Sequence, residues 1–310
     1  MKLLVIAPLL LLAGGCSIDK MAANNMVPVL RRTEDRFERS RTPKAARQAG
    51  PGLLFTLDGL IETSPENPEL LVLGAQMNAA FAFGFIEDED EEYAKELYDK
   101  ARDYARRAFA VEDEHLLKQF EDPGKLQGLR DALKVGPKLD EDTLPAAFWL
   151  GFALGSRINL DRADEKLLGQ LGLVDNLMSH VLATDEKFFN AGPHLYFAVR
   201  YAALAPTMGG NPDKALEHFK AVDRITQNRH LMSKVLRAKF YSCSMMAKNQ
   251  KGAWEDFFTT LEEVVKAKDD LWPEQRLANE VAKVKAKKLL ARPSDAQIDP
   301  PAGVANPYAE

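Results

Sequence analysis

The stretch Gly192–Val222, GPHLYFAVRYAALAPTMGGNPDKALEHFKAV, decides the fold class. Pro193 suits a first helical turn, where its missing N–H costs nothing. Leu195 to Ala205 is apolar on nearly every side except at Arg200, which describes a buried helix. Ala205-Pro206 stops it, because proline cannot continue the backbone ladder. Gly209-Gly210 supplies a turn. Asn211 then caps a second helix, with Pro212 at its first position and Asp213 on the positive end of its dipole. Ala215, Phe219 and Val222 follow at helical spacing and would dock on the first helix. One such hairpin cannot bury both of its faces and asks for neighbours of the same kind, which is the logic of a helical repeat.

Outward from this hairpin the same grammar recurs. Asn67-Pro68 repeats the cap-plus-proline start before an apolar helix to Ile86. Tyr93 to Val111 carries Ala94, Tyr98, Ala101, Ala105 and Ala108, a small-residue stripe suited to close packing. Asp142 or Thr143 caps LPAAFWLGFALGSRINL, whose partner over Glu165 to Leu182 turns Leu168, Leu171, Val174, Met178 and Val181 inward. Leu231–Lys248 and Trp254–Lys268 make a further pair, with Phe258 and Leu261 inward, and a last helix runs from Trp272-Pro273 to about Leu290. Earlier helices are expected over about Val27–Arg39 and Pro51–Thr63. No stretch alternates like a strand. The expectation is an all-α protein of about a dozen helices in degenerate, tetratricopeptide-like hairpin repeats (period ~34 residues).

The chain has 310 residues, 46% hydrophobic and 28% charged, enough for a substantial core. Residues 1–15 read as a lipoprotein signal: Lys2, the apolar run Leu3–Leu12, then Ala13-Gly14-Gly15 before Cys16, the expected lipidation site. An ordinary cleaved signal or a short anchor is the alternative. Ser17, a non-acidic residue after the cysteine, points to the outer membrane in a diderm cell. Residues 16–26 are expected as a flexible tether, 27–290 as the helical repeat domain and 291–310 as a disordered, proline-rich tail. With Cys16 acylated, Cys243 stands alone and no internal disulfide is expected. The net charge of −5 without a clustered basic face argues against nucleic acid as a partner. Glu87–Glu92, EDEDEE, is a cation site or a solvated helix start, and it lacks the glycine of a calcium loop.

Four segments in order, LDGLIETSPENPELLVLGAQ, AFAFGFIEDED with AKELYDKARDYARRA, LPAAFWLGFALGSRINL, and the opening hairpin, resemble the TRAP transporter T-component (TatT) family. The resemblance runs from about Leu53 to Leu290. It implies a periplasmic lipoprotein accessory of a tripartite uptake system, a homotrimer with a central pore, and a soluble substrate-binding (P) subunit as partner. It also implies organic acids or other small apolar carboxylates as cargo. The rival reading is a structural scaffold lipoprotein that assembles envelope proteins and handles no ligand.

Five histidines are present, with no two at metal-ligand spacing on one helix, and no nucleophile elbow, phosphate loop or dinucleotide fingerprint occurs. No cofactor, no metal and no catalytic role is expected. In tetratricopeptide proteins the first helix of each pair lines the concave face. Polar and aromatic residues embedded there are therefore the candidates for ligand or pore: Gln76, Asn78, Trp149, Arg157, Asn159, His194, Arg200 and Tyr201. Arg200 in an apolar helix needs a partner, either a bound carboxylate or an acid on the neighbouring helix. Trp149 packs in a core or stacks on a ligand. The loop with Met208, Gly209, Gly210 and Asn211 is a partner or subunit contact, or a plain connector.

Overall fold

The computed structural model describes residues 18–122, 124, 139–248, 250 and 252–296; Cys16, the signal segment and residues 297–310 lie outside this range. Among the described residues the chain is all-α, with no strand. The helices are α1 (Ile18–Asn25), α2 (Val27–Glu38), α3 (Pro43–Thr63), α4 (Pro68–Phe81), α5 (Glu91–Glu121), α6 (Thr143–Leu160) and α7 (Glu165–Leu168). They continue with α8 (Leu171–Thr184), α9 (Phe188–Ala203), α10 (Pro212–Thr226), α11 (Leu231–Leu236), α12 (Cys243–Ala247), α13 (Ala253–Lys266) and α14 (Arg276–Ala291). Successive helices pair antiparallel-fashion as hairpins, α4 with α5, α6 with α8, α9 with α10 and α13 with α14.

The expected helix starts hold where a cap dictates them. Asn67 accepts from Leu70 N at 3.0 Å and Asn211 from Lys214 N at 3.1 Å, each with proline at the first helical position. At α6 Asp142 holds the N-cap position, one of the two expected, but makes no side-chain capping bond; that bond comes from Asp140. Its Oδ1 accepts from Thr143 N at 2.8 Å while its own N–H donates to Thr143 Oγ1 at 3.1 Å, a reciprocal box. Within α5, Asp113 leaves helical geometry (φ −151°, ψ 86°) and caps Leu116 N at 2.8 Å, so the helix breaks just after the stretch Tyr93 to Val111 and a second begins.

Three segments differ from the sequence reading. From Ile18 onward the supposed tether is a helix: Ala23 is 2% exposed and the Asn24 Oδ1 accepts from Asn67 Nδ2 at 2.8 Å, so both packing and a polar contact order it. Helix α3 begins at Pro43, eight residues early, and runs through Pro51. Leu231–Lys248 is not one regular helix, because a π segment at Arg237–Ser242 separates α11 from α12. A second π segment, Ala82–Ile86, ends α4. The extra residue per turn re-aims the side chains there, and Phe83 and Phe85 reach both hydrophobic clusters of the molecule.

One cluster is built on α1–α8. It includes the expected stripe Ala94, Tyr98, Ala101, Ala105 and Ala108, each 0% exposed. The other is built on α9–α14 around Phe219, Phe257 and Leu261. The two meet along α9, where Phe197 faces the first and Ala198 the second. Among the described residues, Pro68–Ile86 alone is long and apolar enough to cross a membrane; 61% of its apolar window is buried inside the protein, as suits a core helix.

The acidic run divides: Asp90, Glu91 and Glu92 are the exposed start of α5, as one reading had it, while Glu87, Asp88 and Glu89 form a clasp. Glu87 and Asp88 take Lys285, Asp88 also takes Lys239 at 3.7 Å, and Glu89 takes Lys288 at 2.8 Å and Arg47 at 2.5 Å. Asp90 caps α5 through Tyr93 N at 3.1 Å. The Lys-rich end of α14 therefore answers specific carboxylates as well as its own dipole.

Candidate interaction site

The α9–α10 hairpin gathers a polar arrangement between the largely apolar α9 and its amphipathic partner α10. It is built on α8, whose single carboxylate is Asp175. Arg200 grips Asp175 in a fork, Nε to Oδ1 at 3.1 Å and Nη2 to Oδ2 at 3.1 Å. Tyr196, one turn earlier on α9, donates its hydroxyl to the same Oδ1 at 2.6 Å. Burial, then the Asp175 charge, push the Tyr196 ionisation well above its ordinary range, so it stays a donor. The second guanidinium nitrogen, Nη1, is buried without a hydrogen bond among the described residues, and Gly209 lies over it. Of the two partners open to Arg200 in the sequence, the structure supplies the acid on the neighbouring helix.

Beside this triad His194 bridges two elements. Its Nε2 faces Glu186 Oε2 at 3.2 Å and its Nδ1 faces His218 Nδ1 at 2.8 Å; Arg224 approaches Glu186 at 3.6 Å. The network assigns the protons. With His194 neutral and donating from Nε2 to the carboxylate, its Nδ1 accepts and His218 donates from Nδ1. Phe197 and Tyr201 stack on the His218 ring at 5.4 and 5.8 Å between centroids, and the Lys214 ammonium sits 5.5 Å from the Tyr201 centroid. Burial, with the nearby His194 and Lys214, lowers the His218 pKa to about 4.

A pH dependence follows. His218 binds protons more weakly in the folded chain than in the unfolded one, where its pKa is about 6.5. Its neutral form contributes stability above that value, and the contribution is lost as pH falls from about 6.5 towards 4. His230, lowered to about 4 by burial, acts in the same direction. Urea midpoints measured from pH 7.5 to 4 should fall, and His218→Gln should flatten that slope. An unchanged slope in the variant would assign the loss to His230 and the carboxylates.

The remaining sequence candidates do not join this site. Gln76 donates to Glu34 on α2. Asn78 is fully buried and its Nδ2 donates to Gly74 O at 2.8 Å. Arg157 spans Asp99 at 3.3 Å and Asp161 at 3.4 Å, and exposed Asn159 accepts from Arg162. Trp149 is 2% exposed in a ring cluster with Phe148, Phe152 and Phe189 at 5.1, 5.5 and 4.7 Å. That is the packing alternative for Trp149. In the connecting loop Met208 is 49% exposed, Gly209 has φ +90° and Asn211 is the α10 cap. Cys243 is half-buried, donates to Ala238 O at 3.2 Å, and burial pushes its thiol up to about 12, which suits an inert thiol.

Two open clefts lie elsewhere, near α2, α3 and α14. One, of about 470 Å³, is lined by Arg36, Phe37, Arg39, Arg41, Ala46 and Arg276 among others. The second, of about 530 Å³, shares Arg41 and Arg276 and adds Lys268, Asp269, Asp270 and Glu280. The sequence reading passed over this region although residues 31–47 hold seven basic and three acidic side chains in a chain of net charge −5.

Fold and site together define an architecture of packed helical hairpins carrying a polar, aromatic-lined surface. The family described as TRAP transporter T-component (TAtT) matches residues 41–296, and the chain belongs to that family. This makes it an accessory component of a TRAP transporter, as the resemblance implied. A search among proteins of curated function finds no match.

Proposed function

We propose that the chain is the membrane-tethered periplasmic component of a tripartite uptake system, carried through Cys16 on the outer membrane. It binds the soluble substrate-binding P subunit, assembles as a homotrimer, and hands on a small apolar carboxylate. The family match over the helical body carries this reading. The α9–α10 hairpin supports a docking role. Its loop exposes Met208 while the backbone beneath is held by Gly210 N to Ala205 O at 3.0 Å and Asn211 N to Tyr201 O at 2.9 Å, a rigid presentation of an apolar side chain.

The scaffold reading keeps one observation in its favour. Arg200 already has its carboxylate in Asp175, so the hairpin needs no ligand for charge balance. A pull-down from solubilised envelopes, with protein that retains Cys16, separates the two. Recovery of a periplasmic substrate-binding protein, with loss of recovery in Met208→Asp, is the expected result. Recovery of envelope-assembly proteins alone would sink the transport reading. Mass spectrometry of the mature N-terminus checks the acylation directly, and sedimentation of the purified protein checks the trimer.

A further inference from the structure

We infer that the outward face of α1 and α2 lies on the lipid surface to which Cys16 anchors the chain, an interfacial helix that seats its apolar stripe between the headgroups. This placement deepens the proposed anchoring and rests on acylation of Cys16.

Nine large apolar side chains are exposed among the described residues, and four of them fall within twelve positions. They are Ile18, Met21, Met26 and Val29, at 78, 57, 39 and 47% exposure. Single exposed apolar residues are ordinary on a protein surface, but a run at helical spacing is not. Met26 has right-handed helical geometry (φ −79°, ψ −17°) and its carbonyl accepts from Leu30 N at 2.9 Å, so the helical register carries across from α1 to α2. Along that register Ile18, Met21, Asn25 and Val29 share one face, flanked by Ala22 and Met26. The opposite face belongs to the core, where Ala23, Val27 and Leu30 are at most 5% exposed. The contact between Asn24 and Asn67 pins α1 to the start of α4. The fold itself therefore holds the stripe outward.

Position and charge name lipid as the occupant. Cys16 stands two residues before Ile18, and two residues of chain reach about 7 Å. An acylated cysteine there brings the first turn of α1 to the headgroup layer. The same face continues into Arg32 and Arg36, both exposed, one and two turns beyond Val29. Asp19, Glu34, Asp35 and Glu38 all fall off that register, so no carboxylate interrupts it. An apolar stripe followed by arginines, without acid, matches an anionic leaflet: the apolar side chains enter the acyl boundary while the guanidiniums reach phosphates. Contact along a helix fixes the orientation of the repeat body over the leaflet, which acyl chains alone do not.

The test places a nitrobenzoxadiazole label singly at Met21→Cys, Val29→Cys, Val111→Cys or Val284→Cys in the full-length Cys243→Ser chain. The last two are exposed apolar positions outside the stripe. Each chain is reconstituted in vesicles of phosphatidylethanolamine and phosphatidylglycerol, with and without a phosphatidylcholine that carries a nitroxide on its acyl chain. Labels at 21 and 29 should be quenched by the lipid nitroxide about fivefold more strongly than those at 111 and 284. Ile18→Glu/Met21→Glu should cut the quenching at 29 about threefold while the chain still floats with the vesicles, and a thermal melt checks its fold. Equal quenching at all four positions, as for a body tumbling on a leash, overturns the placement. So does a label at 29 that is shielded from aqueous iodide yet untouched by the lipid nitroxide, since protein, a second copy or a partner, would then cover the stripe. Intact mass of the N-terminus on the same samples keeps the two proposals apart. An acylated chain without quenching sinks the placement alone, quenching without acylation sinks the anchor alone, and absence of both sinks both.

Discussion

Gly210→Ala should lower the stability of the protein by about 3 kcal/mol or more, the upper end of what overpacking costs. A Cβ built at this position lies 1.8 Å from the Leu204 carbonyl oxygen and 2.6 Å from its carbon. Both are backbone atoms, so no rotamer change relieves the contact. The loop has to open, and opening it strains the bonds Gly210 N to Ala205 O and Asn211 N to Tyr201 O that close the hairpin. Asn211 would then leave its capping position, adding about 1 kcal/mol. Gly209→Ala is the graded comparison. At φ +90° an alanine is strained, but its Cβ meets nothing nearer than Arg200 at 3.9 Å, so the loss should be about 1–2 kcal/mol. Gly52→Ala, in the body of α3 with no atom within 4 Å of its Cβ, should instead stabilise by about 0.5–1 kcal/mol. Urea unfolding of the three variants gives the order. A Gly210→Ala midpoint equal to that of Gly209→Ala would show that the loop relaxes freely.

The hairpin around that loop was legible because its signals are local. Asn211, Pro212 and Gly210 act within four residues, and the inward set Ala215, Phe219 and Val222 needs only the helical period. Its start was legible too, since regular right-handed helix begins at Gly192-Pro193; what leaves no mark is the left-handed turn ahead of it, where Phe189, Asn190 and Ala191 stand at φ 43°, 58° and 65°. Only asparagine among these favours the left-handed region, and the bend is bound up with ring packing of Phe188 and Phe189 on Phe148 at 5.2 and 5.5 Å. The π segments at Ala82–Ile86 and Arg237–Ser242 were hidden for a similar reason, since a single wide turn does not disturb the apolar pattern enough to mark itself. The helix start at Asp90–Glu92 was legible, but the clasp at Glu87–Glu89 was not, because its partners Lys285 and Lys288 lie about two hundred residues away. In the candidate site Arg200 stood out as a lone charge in an apolar helix. Its answer was also visible: Asp175 is the one carboxylate between Leu171 and Thr184, on the helix just before. What no local pattern carries is the convergence of α2, α3 and α14 that gathers Arg36, Arg41 and Arg276 on one cleft.

Asp175→Leu should cost about 3 kcal/mol, more than Arg200→Met at the other end of the same pair. The asymmetry follows from what each change leaves behind. Without Asp175 the Arg200 side chain, 14% exposed, keeps a full charge with no carboxylate, and the buried Tyr196 hydroxyl loses its acceptor. Without Arg200, Asp175 still accepts from Tyr196 at 2.6 Å and, at 21% side-chain exposure, retains some contact with water. The double variant Asp175→Leu/Arg200→Met removes both charges and should recover most of the loss, as buried ion pairs replaced by apolar groups of similar volume often do. Unfolding curves for the two single variants and the double complete the cycle. A small loss in Asp175→Leu, with additivity in the double, would mean that Arg200 finds another acceptor beneath Gly209. If a small carboxylate is that acceptor, added hexanoate should raise the melting temperature of Asp175→Leu by more than that of Asp175→Leu/Arg200→Met.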